Sequence, residues 1–310
     1  MREMREVFGR ALLELGQEFP NLVVLDADLN TSSKTVYFKE AMPRRFIQCG
    51  IAEQNMFSIA AGLATQGFIP FPSTFAVFAT KRALDQISVS IAYPRLNVKI
   101  PGSYAGIPTS RAGASHNSVM DLAVMRAMPN MLVADPGDNR ELCSVMRMAV
   151  LTEGPVYFRI TRYTLPDLFP ETYEFEWGKG CLLADGADVT LVGTGMMTGL
   201  CLEAADILEK DGIHPEVIHC GSIKPLDADL IAASASKTGA VVTAENGTVV
   251  GGLGSAVAEV LGERSPAVLR RIGVRDQFVK SGGIHELLEY HGMSPQHIAA
   301  AARDALAARC

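Results

Sequence analysis

Long apolar runs are missing from this sequence, and no stretch approaches the ~20 residues that a membrane-spanning helix requires. The amino terminus, MREMREVFGRALLELG, is charged from its second residue and lacks the apolar segment of a signal peptide. Cysteine-based chemistry is missing as well. The six cysteines, at 49, 143, 181, 201, 220 and 310, form no CxxC pair and do not cluster with histidine. That leaves free thiols in a reducing compartment and no metal site of the zinc-finger kind. A basic excess is absent: 28 Lys and Arg against 34 Asp and Glu give a net charge of −6, which excludes a dedicated nucleic-acid or anionic-membrane binder. Internal repeats and low-complexity segments are not found. A soluble, cytoplasmic protein is expected.

What is present is a large apolar fraction. Hydrophobic residues make up 48% and charged residues 20%, which excludes a disordered chain. At about 150 residues per domain, 310 residues predict two domains. Each is large enough to bury a core without disulfide or metal staples.

The segment Arg2–Gly16 places Val7, Ala11, Leu12 and Leu15 on one helical face. Asn21–Leu25 is nearly all apolar, as in a strand covered on both sides. Then follow a helix over Gln54–Thr65, a strand over Phe68–Phe71, a helix over Val77–Tyr93 and a strand over Asn97–Ile100. After a Gly-, Ser- and Pro-rich loop at 101–115 come helix Ser118–Met128, strand Met131–Ala134, helix Asn139–Thr152 and strand Val156–Ile160. Residues 163–184, with two prolines and several acids, read as a surface linker. A second alternation begins at strand Val189–Val192 and ends in a helix over Ser294–Ala308. The pattern predicts an α/β chain of two doubly wound domains. The expected bounds are 1–165 for the first domain, 166–184 for the linker and 185–310 for the second domain.

Taken one at a time, the motifs are modest. Gly193-Thr-Gly195-Met-Met-Thr-Gly199 joins a strand to a helix, as phosphate-binding turns do. Its GxGxxxG spacing and the missing acid on the next strand favour a plain tight turn. Glu53, in Gly50-Ile51-Ala52-Glu53-Gln54-Asn55-Met56, sits at the mouth of an Ala-rich helix, where a carboxylate is ordinarily stabilised by the helix dipole. Phe75 and Phe78, three apart, are expected on one helical face as core residues. His116 closes the loop Gly113-Ala114-Ser115-His116, where a lone histidine is more often structural than catalytic.

Their order changes that. GIAEQNM, AAGLA–x–GF–x–PF–x–STF–x–x–F, DQI, GASH and MPN–x–x–V–x–DP–x–D together resemble the pyrimidine-binding domain of transketolases. Ile223-Lys224-Pro225-Leu226-Asp227 and Gly251-Gly252-Leu253-Gly254 resemble that family's C-terminal domain, so the likeness spans the whole chain. The resemblance implies a thiamine-diphosphate pyrimidine-binding fold followed by a transketolase C-terminal fold. It also implies transfer of a two-carbon glycolaldehyde unit from a ketose phosphate to an aldose. By motif, Glu53 becomes the partner of the aminopyrimidine N1′, a role that needs a carboxyl shielded from water. Phe75 and Phe78 become walls of the pyrimidine pocket, whose third family aromatic is Lys81 here. Asp28 matches an acid near the cofactor, and His116 a histidine at the reacting carbon. Arg5, Ser32 and Arg162 match residues that bind the sugar phosphate, a task suited to guanidinium forks.

Three departures stand out. The family's fourth phosphate ligand, a histidine, is Tyr104. The family's Gly-Glu-Asp-Gly stretch reads Ser110-Arg111-Ala112-Gly113, so the acid that contacts a substrate hydroxyl is replaced by Ala112 and Arg111 adds a positive charge. This implies a non-standard sugar. The GDG…N motif that holds Mg²⁺ and the diphosphate has no counterpart, and the chain begins where the family's middle domain begins. The expectation is the C-terminal subunit of a split transketolase, with no metal ligands of its own. A separate N-terminal subunit would carry the Mg²⁺ and diphosphate site, and this chain would form a homodimer within an α2β2 complex. Two thiamine enzymes stay open as alternatives: the β subunit of a 2-oxo acid dehydrogenase and a deoxyxylulose-phosphate-synthase-like enzyme. So does a non-catalytic regulatory subunit.

Overall fold

The computed structural model describes residues 2–309. In the first half, chain order gives α1 (Met4–Glu18), β1 (Leu22–Asp26), α2 (Asn30–Ser33), α3 (Val36–Ala41), β2 (Phe46–Gln48), α4 (Glu53–Ala64), β3 (Ile69–Phe75), β4 (Lys99–Ser103), α5 (Asp121–Ala127), β5 (Leu132–Ala134), α6 (Asn139–Leu151) and β6 (Val156–Ile160). The second half continues with β7 (Cys181–Ala184), β8 (Val189–Gly193), α7 (Met197–Glu209), β9 (Pro215–His219), β10 (Ser222–Lys224), α8 (Ala228–Thr238), β11 (Ala240–Thr248), α9 (Leu253–Glu263), β12 (Val268–Val274), α10 (Ile284–Tyr290) and α11 (Pro295–Ala307). No helix among the described residues is long and apolar enough to cross a membrane.

Two sheets result, one of order β10-β5-β6-β4-β3-β1-β2 and one of order β12-β11-β8-β9-β7. All pairings are parallel except β10 on β5 and β7 on β9. Their central strands are buried along their whole length, as expected for sheets covered on both faces.

β3 runs to Phe75, four residues beyond the expected strand, despite Pro70 and Pro72. Its ladder to β4 begins only at Thr74, so the two missing N–H groups fall where that ladder has not yet formed. The expected helix over Val77–Tyr93 is instead two π-helical stretches, 78–82 and 86–92. The expected linker carries β7 at its end, and residues 101–103 of the expected loop complete β4.

The two halves are not merely tethered. β10, in the second half, adds an antiparallel edge to the first sheet, and the Lys224 ammonium donates to the Arg126 and Met128 carbonyls at the end of α5 (3.0 and 2.6 Å). At the junction, buried Arg159 donates to Asp121 at 2.6 and 2.7 Å and to the Asn246 carbonyl at 3.0 Å. A buried charge needs such a full set of partners.

Candidate active site at the carboxyl edge of the first sheet

In a parallel sheet every strand ends on the same edge, and ligands collect there where the chain reverses its direction of travel across the sheet. β1 is that place, since β2 lies on one side of it and β3 on the other. Asp28, Phe78, Tyr104 and Arg162 follow closely on the ends of β1, β3, β4 and β6, and Phe75 is the last residue of β3. Parallel pairing therefore gathers residues that are far apart in sequence. Three non-glycine residues on this edge, Asp28, Tyr104 and Ser110, have left-handed φ angles of 64°, 59° and 48°. Such strain clusters where side chains must be aimed.

Glu53 opens α4 and is 1% exposed. Both of its carboxylate oxygens accept from Arg82 Nη1, at 2.9 and 2.7 Å. The Arg82 guanidinium lies 4.6 Å from the centre of the Phe78 ring, a cation–π contact. No sequence motif singles out Arg82; the one hint is the Lys81-Arg82 pair inside an otherwise small and apolar segment. Phe75 and Phe78 do not share a helical face, because the first ends a strand and the second opens a π turn. They still stack, with ring centres 5.7 Å apart.

The stack continues to Tyr104, whose ring centre is 4.2 Å from that of Phe75. The Tyr104 hydroxyl accepts from Arg5 Nη1 at 2.7 Å, and the same nitrogen points at the Ser32 carbonyl at 3.4 Å. Arg162, exposed, places its guanidinium 5.2 Å from the Tyr104 ring. His116 meets Phe78 and Phe75 edge-on at 5.4 and 6.2 Å, and its Nδ1 is in hydrogen-bond contact with Ser115 Oγ at 2.8 Å. One run of contacts thus joins Glu53, by way of Arg82, to Phe78, Phe75, His116, Tyr104, Arg5 and Arg162, with Ser32 beside Arg5. Asp28, Arg111 and Ala112 are at least partly exposed around it.

Arg111 and Ala112 end a 3-10 turn over Ile107–Ala112 that is kinked at Ser110. The second half of the chain holds this loop at two points. Asn246 Oδ1 accepts the Ile107 N–H at 2.9 Å, and the Arg111 carbonyl accepts from Ser281 Oγ at 2.6 Å.

The Gly193–Gly199 turn is structural: the Gly195 N–H donates to the Asp135 carbonyl at 3.1 Å, and a Cβ at 195 would lie 2.6 Å from the Asp135 carboxylate. Glu245 and the Gly251–Gly254 turn face each other within the chain, the carboxylate accepting the Leu253 and Gly254 N–H groups at the start of α9 (2.9 and 2.8 Å). Burial pushes the Glu245 carboxyl up to about 7.

Residues 1–167 match the pyrimidine-binding domain of transketolase, and residues 178–298 match the transketolase C-terminal domain. The chain is 44% identical to the 6-deoxy-6-sulfo-D-fructose transketolase subunit SqwH of Clostridium sp. (strain MSTE9), over 97% of this chain and 94% of that one. It is 36% identical to an apulose-4-phosphate transketolase subunit of Phocaeicola vulgatus, over 95% of this chain and 94% of that one. The solved structure of a split-gene transketolase, described as an inactive beta4 tetramer, matches with a TM-score of 0.93 at 48% identity, covering 99% of each chain. With both domains matched in order and a carboxyl-edge site of the expected residue types, the chain belongs to the transketolase family.

Proposed function

We propose that this chain is the C-terminal subunit of a two-subunit transketolase, moving a two-carbon ketol unit from an anionic ketose to an aldose. One observation carries the reading: the contacts that run unbroken from a buried carboxylate, across an aromatic stack, to two guanidinium groups. Acid–base chemistry at one end and anion recognition at the other suit a sugar whose charged group lies away from its reacting carbonyl. The relatives named above point the same way, since a sulfo group and a phosphate are both anionic.

Thiamine diphosphate, when bound, supplies the nucleophilic carbon and electron sink for breaking a carbon–carbon bond beside a carbonyl. The residues fit its aminopyrimidine half, which needs aromatic walls and one water-shielded carboxylate. Glu53, 1% exposed, would hold a proton at N1′, and Phe75 and Phe78 would wall the ring and exclude water. Asp28 borders the same edge. Among the described residues no group of three or more His, Cys, Asp or Glu is placed to hold a metal ion. In this reading Mg²⁺ and the diphosphate fall to an N-terminal subunit, within an α2β2 assembly that contains a homodimer of this chain.

His116, braced by Ser115, exchanges a proton with the substrate oxygen at the reacting carbon. Arg5, Arg162 and Ser32 receive the anionic group, with Tyr104 shaping their pocket. Arg111 and Ala112 set donor preference from the rim, where an added positive charge favours anionic substrates. In this reading the chain works in the cytoplasm, on small sugars.

The test is to mix the chain with its N-terminal subunit, thiamine diphosphate and Mg²⁺, and to follow glycolaldehyde transfer from sugar phosphates and sulfo-sugars to ribose 5-phosphate. Transfer only in the mixture, and only from anionic ketoses, is the expected result. An assembled complex that binds the cofactor yet transfers from no anionic ketose would overturn it.

A further inference from the structure

The carboxylate of Glu53 is 1% exposed and its partner Arg82 is 46% exposed, so the two ends of this ion pair live in different surroundings. A buried carboxylate left without a partner is strongly destabilising, so something must occupy its donor-accepting face in the cofactor-free chain. That something is one nitrogen. Arg82 Nη1 lies within hydrogen-bond distance of both Glu53 oxygens, at 2.9 and 2.7 Å, and blocks both. The rest of the guanidinium covers Phe78 at 4.6 Å.

The guanidinium thereby presents a flat, cationic, N–H-donating group that lies on an aromatic ring and donates to a buried carboxylate. A protonated aminopyrimidine presents the same features. Resting on the thiamine reading above, we infer that Arg82 is a placeholder. It occupies the pyrimidine's seat in the cofactor-free chain and keeps Glu53 partnered and ordered. It swings outward when the cofactor loads, so loading is coupled to breaking the Arg82–Glu53 pair.

Two features of the structure permit this. Arg82 approaches from the solvent side and needs no cavity to retreat into. It also ends the π-helical stretch Phe78–Arg82, whose backbone departs from the regular helix at this point, and such departures are frequent at functional sites.

The experiment is calorimetric titration of thiamine diphosphate with Mg²⁺ into this chain assembled with the N-terminal subunit. If Arg82 competes for Glu53, Arg82→Gln tightens the dissociation constant by about fivefold, the typical worth of a half-exposed ion pair. Arg82→Lys, which retains charge but not the flat fork, falls between the two. In a Glu53→Gln background the Arg82 substitution loses its effect on affinity. Thermal melting gives an independent readout: Arg82→Gln lowers the midpoint of the cofactor-free complex and leaves the loaded one unchanged. Equal lowering of both midpoints, or unchanged or weaker binding by Arg82→Gln, would show that the pair persists in the loaded site and would overturn the inference. Failure of the wild-type complex to bind thiamine diphosphate would instead overturn the thiamine reading, and this inference with it.

Discussion

Asn246 Oδ1 accepts the backbone N–H of Ile107 at 2.9 Å, across a sequence separation of 139 residues. The contact is tight enough that a Cβ on Gly106, whose φ is +71°, would lie 2.2 Å from the Asn246 amide nitrogen. The second half of the chain thus props the loop that carries Tyr104, Arg111 and Ala112.

Asn246→Ala leaves the buried Ile107 N–H without its partner, a cost of about 1–3 kcal/mol. The expected outcome is a lower melting temperature and a raised KM for the anionic donor. Gly106→Ala, strained by both φ and contact, is expected to destabilise by more. Thermal denaturation and steady-state kinetics check both variants, and a KM unchanged in Asn246→Ala would refute the propping role.

Tyr104→Phe keeps the stack on Phe75 and removes the hydroxyl that accepts from Arg5. The loss of one hydrogen bond to a charged group, about 1.5–3 kcal/mol, should appear in KM for the anionic ketose. A fall in kcat at constant KM would place Tyr104 in the chemical step instead.

Ala112→Asp returns an acid to the rim beside Arg111. Preference is expected to shift toward ordinary pentose phosphates and away from the native donor, read as the ratio of the two kcat/KM values. The folded state should be little affected, because residue 112 lies outside the buried core. An unchanged ratio would remove this loop from donor selection.

Glu245 yields a prediction about pH. Burial raises its carboxyl from 4.5 to about 7, against the opposing effect of the Gly254 and Leu253 N–H groups. Between these two values the folded chain holds a proton that the unfolded chain has lost. The stability contributed by this group is therefore fully present below about 4.5 and lost as pH rises through about 7. Glu245→Gln should flatten that part of the stability profile, measured as melting temperature from acid to neutral pH. Parallel profiles for the two proteins would contradict it.

Much of the fold is legible locally. β6 occupies the segment Val156–Ile160 expected from the alternation of strands and helices, and α6 starts at Asn139 because Asp138 caps it, accepting the Glu141 N–H at 2.8 Å. β7 and β10 are not legible, being short antiparallel edges whose identity rests on a partner strand far away in sequence. The π-helical stretches escape periodicity as well, since their side-chain pattern hardly differs from that of an α-helix over so few residues. β3 carries two prolines that argue locally against a strand, and only its incomplete ladder to β4 makes room for them.

The site divides along the same line. Glu53, Phe75, Phe78, His116, Arg5, Ser32, Arg162 and the departures at Tyr104, Arg111 and Ala112 can be named from motif order, because residue type and spacing carry that information. Arg82 belongs to no motif, and Asn246 and Ser281 lie in the other half of the chain. The sequence by itself determined two alternating α/β domains, their family and the residue types of the chemistry, through hydrophobic pattern and short motifs. Tertiary structure decided that Arg82 rests on Glu53, that β10 completes the first sheet and that Asn246 holds the loop over Ile107–Ala112. These rest on contacts between residues remote in sequence, whose energies depend on shared burial that no local window contains.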